Sequence, residues 1–214
     1  ESTIEESIKD EGVKVQHDVE MLKAHVYYKI ADDGNTIPQL SVEGNEKLND
    51  IVNKINNDWV GGYYPRINLT RTDTSVFSAL LATTVMNGST DTKELLRGVN
   101  IDSNTGKELK IEDVLKDPVG LYDRVEKENY LADEYGEDIE EFSEKLKAVL
   151  TNPDTFKLGA NDKANLAWTL SSGGMMIYMT AKGEYGERIV SIPLEYAIYG
   201  EFFNEDILRL PKDY

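Results

Sequence analysis

The spacing of apolar residues changes along this chain, and that change is the strongest constraint on its fold. In residues 13–21 apolar and polar side chains alternate, which is typical of a strand with one buried face. In residues 44–59, Leu48, Val52 and Ile55 recur at helical spacing, which predicts an amphipathic helix that ends before a pair of glycines. A chain with both patterns has to pack helices against sheets.

Further strands are predicted from the same alternation. Residues 25–30, 66–73 and 95–103 are strand-like, and residues 75–86, which are apolar on both faces, predict a central strand. The last third returns to strand patterns in three segments, ANLAWTL, MMIYMTA and RIVSIP.

Helices are expected between these two groups of strands and near the end of the chain. Asp117 and Pro118 open one helix, and residues 138–150 form another with Phe142 on its inner face. Pro193 is expected to begin a short final helix, because proline suits the first helical position.

These patterns predict an α+β fold, with mainly antiparallel sheets and helices packed on them, in two closely associated subdomains. We assign residues 1–12 to a flexible N-terminal segment, 13–116 to one α+β subdomain and 117–214 to the other. The chain starts at Glu1 without an initiator methionine, so we expect a processed product. No run approaches the roughly 18 apolar residues that a membrane span needs, and none is expected in this chain.

The stretch NIDSNTGKELKI, residues 100–111, could be a calcium loop or a turn between strands. A helix-loop-helix calcium site needs an oxygen ligand at the fifth position and glycine at the sixth. Counted from Asp102, those positions are Gly106 and Lys107, so both requirements fail. Asn104, Thr105 and Gly106 lie between two alternating segments, which predicts a tight hairpin instead.

The residue chemistry alone identifies no catalytic, metal or cofactor site. The chain has 0 cysteines, which excludes disulfides and thiolate ligands. Its histidines, His17 and His25, lack the HExxH spacing of a zinc site. No G-x-S-x-G elbow follows a strand, and the glycine pairs lack the spacing of a phosphate-binding loop. We therefore expect no catalytic residue, no metal and no cofactor.

The net charge of −17 restricts the kinds of molecule that the chain is expected to bind. Such a charge repels nucleic acid and anionic lipid headgroups, because both require positive groups to displace counterions. It attracts cationic partners instead. Residues 126–145 contain nine acidic residues and two lysines, which indicates either a solvated face or a contact with a cation or a basic protein.

Four segments resemble a known pair of domains. They are TIPQLSVEGNEKLNDIVNKIN, RTDTSVFSALLATTVMNG, GVNIDSNTGKELKIEDVL and LAWTLSSGGMMIYMTAKGEYGERIVSIPLE, within residues 36–195. Together they resemble the extracytoplasmic domain pair of unknown function in RsiV-type anti-sigma factors, which sense lysozyme by binding it. The same pair accompanies some peptidoglycan deacetylases as a non-catalytic accessory module.

The resemblance implies a non-catalytic, extracytoplasmic binding or sensing domain of a Gram-positive-type cell envelope, either secreted or anchored by lipid or membrane. A cationic protein such as lysozyme, or a cell-wall component, is the expected partner. The competing hypothesis is a cell-wall glycan hydrolase that uses two carboxylates about 5 to 9 Å apart.

Loops on a rigid scaffold are where binding specificity usually lies, so the expected binding surface is made of loops 61–65, 87–93 and 182–187 with the acidic segment. Aromatic side chains in such loops stack on sugars or anchor protein interfaces, although they also close cores. The candidate residues are Tyr63, Tyr64, Asn87, Gly88, Asp91, Glu184, Tyr185, Asp133 and Glu134.

Overall fold

The computed structural model describes residues 15–59, 61–88, 91–128, 139–151, 166–183 and 186–212. Strands dominate the first half, and one long helix follows the third strand. In chain order the elements are β1 (Gln16–Val19), β2 (Ala24–Ile30), β3 (Thr36–Val42), α1 (Glu46–Trp59), β4 (Tyr63–Thr72), β5 (Val76–Asn87) and β6 (Asp91–Asp102).

The second half places its helices before its strands. In chain order the elements are α2 (Ile111–Val114), α3 (Pro118–Lys127), α4 (Ile139–Thr151), β7 (Leu166–Leu170), β8 (Gly174–Gly183), β9 (Gly186–Glu195), α5 (Tyr196–Tyr199), two 3-10 turns (Gly200–Phe202 and Glu205–Leu208) and β10 (Arg209–Pro211).

Two three-stranded antiparallel sheets form the middle of the molecule, in the orders β4-β5-β6 and β7-β8-β9. The predicted central position of residues 75–86 is confirmed, since β5 pairs with β4 on one side and β6 on the other. Buried apolar side chains of β5, β6 and β7, with Tyr178 and Ile189 partly buried beside them, pack the two sheets together. Because β5 is covered on both faces, its apolar pattern is continuous rather than alternating.

Helix α1 and the hairpin β2–β3 cover the outer face of the first sheet. Leu48 and Val52 of α1 are buried with Phe77 of β5 and Val99 of β6. Asn45 begins the helix, because its Oδ1 accepts the backbone N–H of Leu48 at 3.0 Å. The predicted amphipathic helix is confirmed, while β3 was not predicted from periodicity.

Asparagine side chains of α1 bind the edge of β3 that faces away from β2. Asn49 accepts the N–H of Val42 at 2.6 Å and donates to its carbonyl at 3.1 Å. One helical turn later, Asn53 accepts the N–H of Leu40 at 2.6 Å and donates to its carbonyl at 2.9 Å. Because residues four apart share a helix face, the amides act as a substitute neighbouring strand for β3.

The predicted hairpin in residues 100–111 is confirmed. Ile101 and Glu108 form an antiparallel bridge, and Asp102 N–H donates to the Lys107 carbonyl at 2.9 Å. Asp102 Oδ1 accepts the N–H groups of residues 104 and 105 at 2.9 and 3.0 Å, and Gly106 has a φ of 73°. The Asp102 carboxylate therefore closes the turn, as expected for an aspartate at this position.

Helices α3 and α4 cover the outer face of the second sheet. Pro118 is the first residue of α3, and Asp117 caps it by accepting the N–H of Gly120 at 2.9 Å, as the sequence predicted. The two helices bury Leu121, Phe142 and other apolar side chains against Ile177 of β8. The helix predicted at 138–150 is confirmed, with bounds Ile139–Thr151.

The prediction for Pro193 was wrong. Pro193 lies inside β9, opposite Met176 of β8, and the final helix begins three residues later at Tyr196. The strand tolerates a proline because β9 is an edge of its sheet, where a backbone N–H group is not required on the outer side.

The α+β class with mainly antiparallel sheets is confirmed, with one parallel pair between β1 and β10 as the exception. The division at residue 116 stays a prediction, and residues 1–12 lie outside the described residues. No helix in the part of the chain that the structure describes is long and apolar enough to cross a membrane.

Candidate binding surface

Two of the three predicted loops meet where the first sheet ends. Strand β4 begins at this end, β5 finishes there and β6 starts there, so Tyr63 pairs with Thr84 and Asn87 pairs with Asp91. Antiparallel pairing places the start of one strand beside the finish of the next. Segments 61–65 and 87–93 are therefore neighbours, although more than 20 residues separate their first positions in the chain. The prediction that they are loops was wrong for most of their residues, because 63–65, 87 and 91–93 continue the strands of the first sheet.

The second sheet reaches the same end through the start of β9. A Cβ atom on Gly186 would lie 2.5 Å from Thr92 Oγ1, so only a glycine fits against β6 at this point. Gly186 also has a φ of 128°, which favours glycine. The Glu187 carboxylate accepts the backbone N–H of Glu94 at 3.2 Å. Thus the third predicted loop, 182–187, ends against β6.

Exposed apolar side chains stand at this shared end. Tyr63 is 61% exposed, Tyr64 is 78% exposed and Met86 is 48% exposed. We call the group formed by Tyr63, Tyr64, Met86, Gly88 and Asp91 the apical surface. Single exposed apolar side chains are common, but several at one end of a sheet form an apolar patch, and such patches mark interaction sites.

Tyr64 has a backbone conformation that bulky residues rarely adopt. Its φ is 57°, and it is the one non-glycine residue with positive φ among the described residues. The left-handed conformation costs a residue with a Cβ atom about 1–2 kcal/mol. Strained residues of this kind concentrate at binding and catalytic sites. Arg66 Nη1 donates to the Tyr64 carbonyl at 3.2 Å, which helps to hold the strained position.

A polar cluster lies directly behind Tyr63 and Tyr64. Arg66 Nη2 and Glu94 Oε2 are 2.8 Å apart, and Thr84 Oγ1 donates to the other carboxylate oxygen of Glu94 at 2.9 Å. Both oxygens of Glu94 therefore have partners, one on β4 and one on β5. The carboxylates of Glu94 and Glu187 both bind groups of the scaffold, Glu94 the Arg66 guanidinium and Glu187 the backbone N–H of Glu94.

The structure brings together several of the predicted site residues and leaves others outside what it describes. Tyr63, Tyr64, Gly88 and Asp91 share the apical surface, and the backbone of Asn87 lies with them. The other four candidates, Glu184, Tyr185, Asp133 and Glu134, fall outside the described residues.

Sequence reasoning missed four residues of this region. Met86, Arg66 and Glu94 lie on strands just outside the predicted loops, and Glu187 lies at the end of the predicted loop 182–187 without having been named a candidate. Their alternation along the strands was readable, but the register that lets the Arg66 side chain reach across β5 to Glu94 was not. Within the described ranges, no three His, Asp or Glu side chains are grouped as metal ligands.

Comparison with known proteins gives the fold and no more. No family model matches the chain, and no curated protein matches it in sequence. One similar solved structure is a DUF3298 family member from Bacteroides fragilis NCTC 9343, with a TM-score of 0.50, 12% identity, and coverage of 90% of this chain and 96% of that one. Another is a DUF3298 family protein from Pseudomonas aeruginosa PAO1, with a TM-score of 0.48, 10% identity, and coverage of 94% and 99%. DUF3298 denotes a domain of unknown function, and the Bacteroides protein shares its fold with this chain.

Proposed function

We propose that this chain is a non-catalytic binding or sensing domain outside the cytoplasm, and that the apical surface binds a cationic protein such as lysozyme. It would act in a Gram-positive-type cell envelope, in the manner of the lysozyme-sensing region of RsiV-type anti-sigma factors or the accessory module of peptidoglycan deacetylases. The observation that carries the proposal is Tyr64, which is 78% exposed on a strained backbone where β4 begins, beside the end of β5 and the start of β6.

The apical surface has the composition of a protein-binding site. Tyrosine is enriched among the few interface residues that contribute most of the binding energy. Tyr63 and Tyr64 provide two such rings beside the thioether of Met86, which adapts to irregular partners. The cluster of Arg66, Thr84 and Glu94 fixes the strands from which the rings project. Little ordering is then needed on binding, which favours affinity.

The charge of the chain supports a cationic partner. A net charge of −17 raises the encounter rate with a basic protein at low ionic strength. Asp91 is exposed within the apical surface, so a carboxylate lies beside the aromatic anchors. Charge would therefore set the rate of association, and the tyrosines would determine how long the complex lasts.

The test is calorimetric titration with hen egg-white lysozyme at low ionic strength and at rising NaCl concentration. We expect binding that weakens with salt, and Tyr64→Ala should weaken it by about tenfold or more. Tyr28→Ala is the matched control, because Tyr28 is 59% exposed on a different strand. It should leave the affinity unchanged.

Two results would contradict the proposal. Absence of binding to lysozyme at low ionic strength would remove this partner. Equal affinity for lysozyme and for an unrelated basic protein such as cytochrome c, with no effect of Tyr64→Ala, would mean that charge alone drives the association. The location is tested separately, by adding protease to intact cells that express the full-length gene product. Protection from the protease would contradict a position outside the cytoplasm.

A further inference from the structure

Strand β2 has one edge without a backbone partner among the described residues. Antiparallel pairing with β3 places Lys29 opposite Ile37, and the carbonyl of Lys23 accepts the N–H of Glu43 at 3.0 Å. The backbone N–H and C=O groups of the odd-numbered residues from 23 to 29 therefore point towards β3. In a strand, the backbone groups of the even-numbered residues point the other way. The outward groups are those of Ala24, Val26, Tyr28 and Ile30.

The two edges of this small sheet are treated differently. The free edge of β3 is covered by the asparagine side chains of α1. The described residues place no hydrogen-bonding partner against the outward groups of β2. An unpaired edge of seven residues is a template for another strand, and proteins usually block such edges.

The outer part of β2 is also apolar. Ala24 and Val26 pack on the core beneath the first sheet. On the same face of the strand, Tyr28 is 59% exposed and Ile30 is 80% exposed. A strand that continues its apolar face beyond the core exposes a surface that pairing would cover.

We propose that β2 pairs with β2 of a second copy of this chain, antiparallel and with Tyr27 opposite Tyr27 of the second copy. This register overlaps the whole strand and uses every outward group. Ala24 then pairs with Ile30 of the second copy, and Val26 pairs with Tyr28. Each apolar residue of the exposed face meets another apolar residue, which is the favourable cross-strand combination.

The charges at the two ends of β2 are complementary in this register. Lys23 precedes the strand, while Asp32 and Asp33 follow it. Antiparallel pairing brings Lys23 of each copy beside the turn that carries Asp32 in the other. The two ends of the paired strands therefore each place an ammonium group near carboxylates.

The overall charge acts in the opposite direction. Each copy carries a net charge of −17, so two copies repel each other at low ionic strength. Salt screens this repulsion, since the Debye length falls from about 30 Å at 0.01 M to about 8 Å at 0.15 M. Self-association through β2 should therefore strengthen with NaCl, whereas binding of a cationic protein at the apical surface should weaken. The two proposals are thus independently testable.

A single introduced cysteine tests the register. The chain has 0 cysteines, so Tyr27→Cys supplies one thiol. In the proposed register the two Tyr27 positions form a non-hydrogen-bonded pair with Cα atoms about 4.5 Å apart, which suits a disulfide. His25→Cys is the control, because its two copies would lie roughly 14 Å apart along the strands. Under mild oxidation we expect covalent dimers of Tyr27→Cys and not of His25→Cys.

Sedimentation equilibrium of the unmodified chain, at rising concentration and at two NaCl concentrations, measures association directly. We expect a monomer–dimer equilibrium that shifts towards the dimer with salt. Tyr28→Pro should abolish it, because proline removes an outward donor and an edge strand tolerates it. Ile30→Lys should also abolish it, and it keeps the backbone intact if Tyr28→Pro fails to fold. Tyr63→Ala, an equally exposed tyrosine elsewhere, should leave the dimer intact.

Three results would overturn the proposal. One is a monomer at all concentrations, which would leave the edge for a strand of another protein. The second is a dimer that neither Tyr28→Pro nor Ile30→Lys weakens. The third is equal oxidation to dimer by Tyr27→Cys and His25→Cys, or by neither.

Discussion

Arg71 and Asp73 form an ion pair in which both side chains are 0% exposed, with Arg71 Nε donating to Asp73 Oδ2 at 2.7 Å. The same guanidinium donates to the carbonyls of Ile207, at 2.7 Å, and Arg209. Asp73 Oδ1 accepts the N–H of Val76 at 2.7 Å. Arg71 and Asp73 therefore connect residues 207–209 to the end of β4.

Removing one partner of this pair should destabilise the fold strongly. In Asp73→Ala the Arg71 charge stays buried without its carboxylate, which typically costs about 3–5 kcal/mol. The measurement is urea unfolding followed by circular dichroism. Glu43→Ala is the control, because it breaks the surface pair with Lys23, whose side chains are 71% and 82% exposed. That change should cost about 0–1 kcal/mol, and equal losses in the two variants would contradict the assignment.

The elements that the sequence predicted correctly are those whose signal is local. The apolar spacing of α1 and the continuous apolar run of β5 each depend on neighbouring residues, and both were found. Strand β3 was missed, because its buried residues Pro38, Gln39 and Leu40 are consecutive and do not alternate with exposed ones. The pairing of β1 with β10 was missed because it joins opposite ends of the chain.

The residues of the candidate surface that the sequence predicted are likewise those with a local signal. Turn residues and aromatics near loop ends identified Tyr63, Tyr64, Gly88 and Asp91. The positive φ of Tyr64 left no signal, since tyrosine is not a residue that marks the left-handed conformation. The meeting of the loops depends on the register of β4, β5 and β6, which a single sequence does not contain.

Asn56 and Pro38 provide a second prediction. Asn56 Nδ2 donates to the Pro38 carbonyl at 2.7 Å, while its buried Oδ1 has no partner among the described residues, because proline lacks the N–H group that Leu40 offers to Asn53. Pro38→Ala restores this donor. Asn56→Ala should then cost about 0.5–1.5 kcal/mol more in the Pro38→Ala background than in the original chain.

A double-mutant cycle by urea unfolding measures this coupling. The parallel cycle with Lys54→Ala in place of Asn56→Ala is the control, since Lys54 is exposed on α1. It should show no coupling with Pro38→Ala. A coupling near zero for Asn56 would mean that its Oδ1 is satisfied in another way.

Gly98 is predicted to accept no side chain. A Cβ atom there would overlap the Trp168 carbonyl of β7, to which Asn100 Nδ2 also donates at 3.0 Å. The two sheets approach backbone to backbone at this point, so Gly98→Ala should separate them and cost more than about 3 kcal/mol. Gly173→Ala is the control, since nothing lies within 4 Å of its Cβ position. Thermal unfolding compares the two, and similar melting temperatures would contradict the close approach.

Asp113 should contribute to the loss of stability in acid. Burial acts to raise the pKa of its carboxyl, but the N–H of Lys110 at 2.9 Å and the ammonium of Lys107 at 3.2 Å lower that pKa overall. A carboxyl whose pKa is lowered by folding stabilises the fold when ionised. This contribution is complete above the ordinary value of about 4 and disappears as the pH falls through the lowered pKa.

Asp113→Asn removes this titration. We expect the variant to be less stable than the original chain at pH 6 and to approach its stability at pH 2.5, as measured by urea unfolding at the two values. Asp50→Asn, which removes one charge from the exposed side of α1, serves as the control for net charge. A difference between Asp113→Asn and the original chain that is equal at both pH values would contradict the role of the carboxylate.

We expect Tyr64 to strengthen the binding of lysozyme and to lower the free energy of unfolding. Tyr64→Gly relieves the left-handed strain of about 1–2 kcal/mol, although glycine adds a backbone entropy cost of about 0.5–1 kcal/mol. We therefore expect Tyr64→Gly to raise the free energy of unfolding by about 0.5–1 kcal/mol. Tyr64→Ala keeps a Cβ atom and should leave it nearly unchanged. Both variants remove the ring and should weaken binding to lysozyme alike.

Thermal or urea unfolding of the two variants, beside the calorimetric titration, separates strain from recognition. A more stable protein that binds less well is the result expected where strain is retained for function. If Tyr64→Gly were less stable than Tyr64→Ala, the positive φ would not be a source of strain. If both variants bound lysozyme as tightly as the original chain, the exposed ring would have no part in recognition, and the strain would need another explanation.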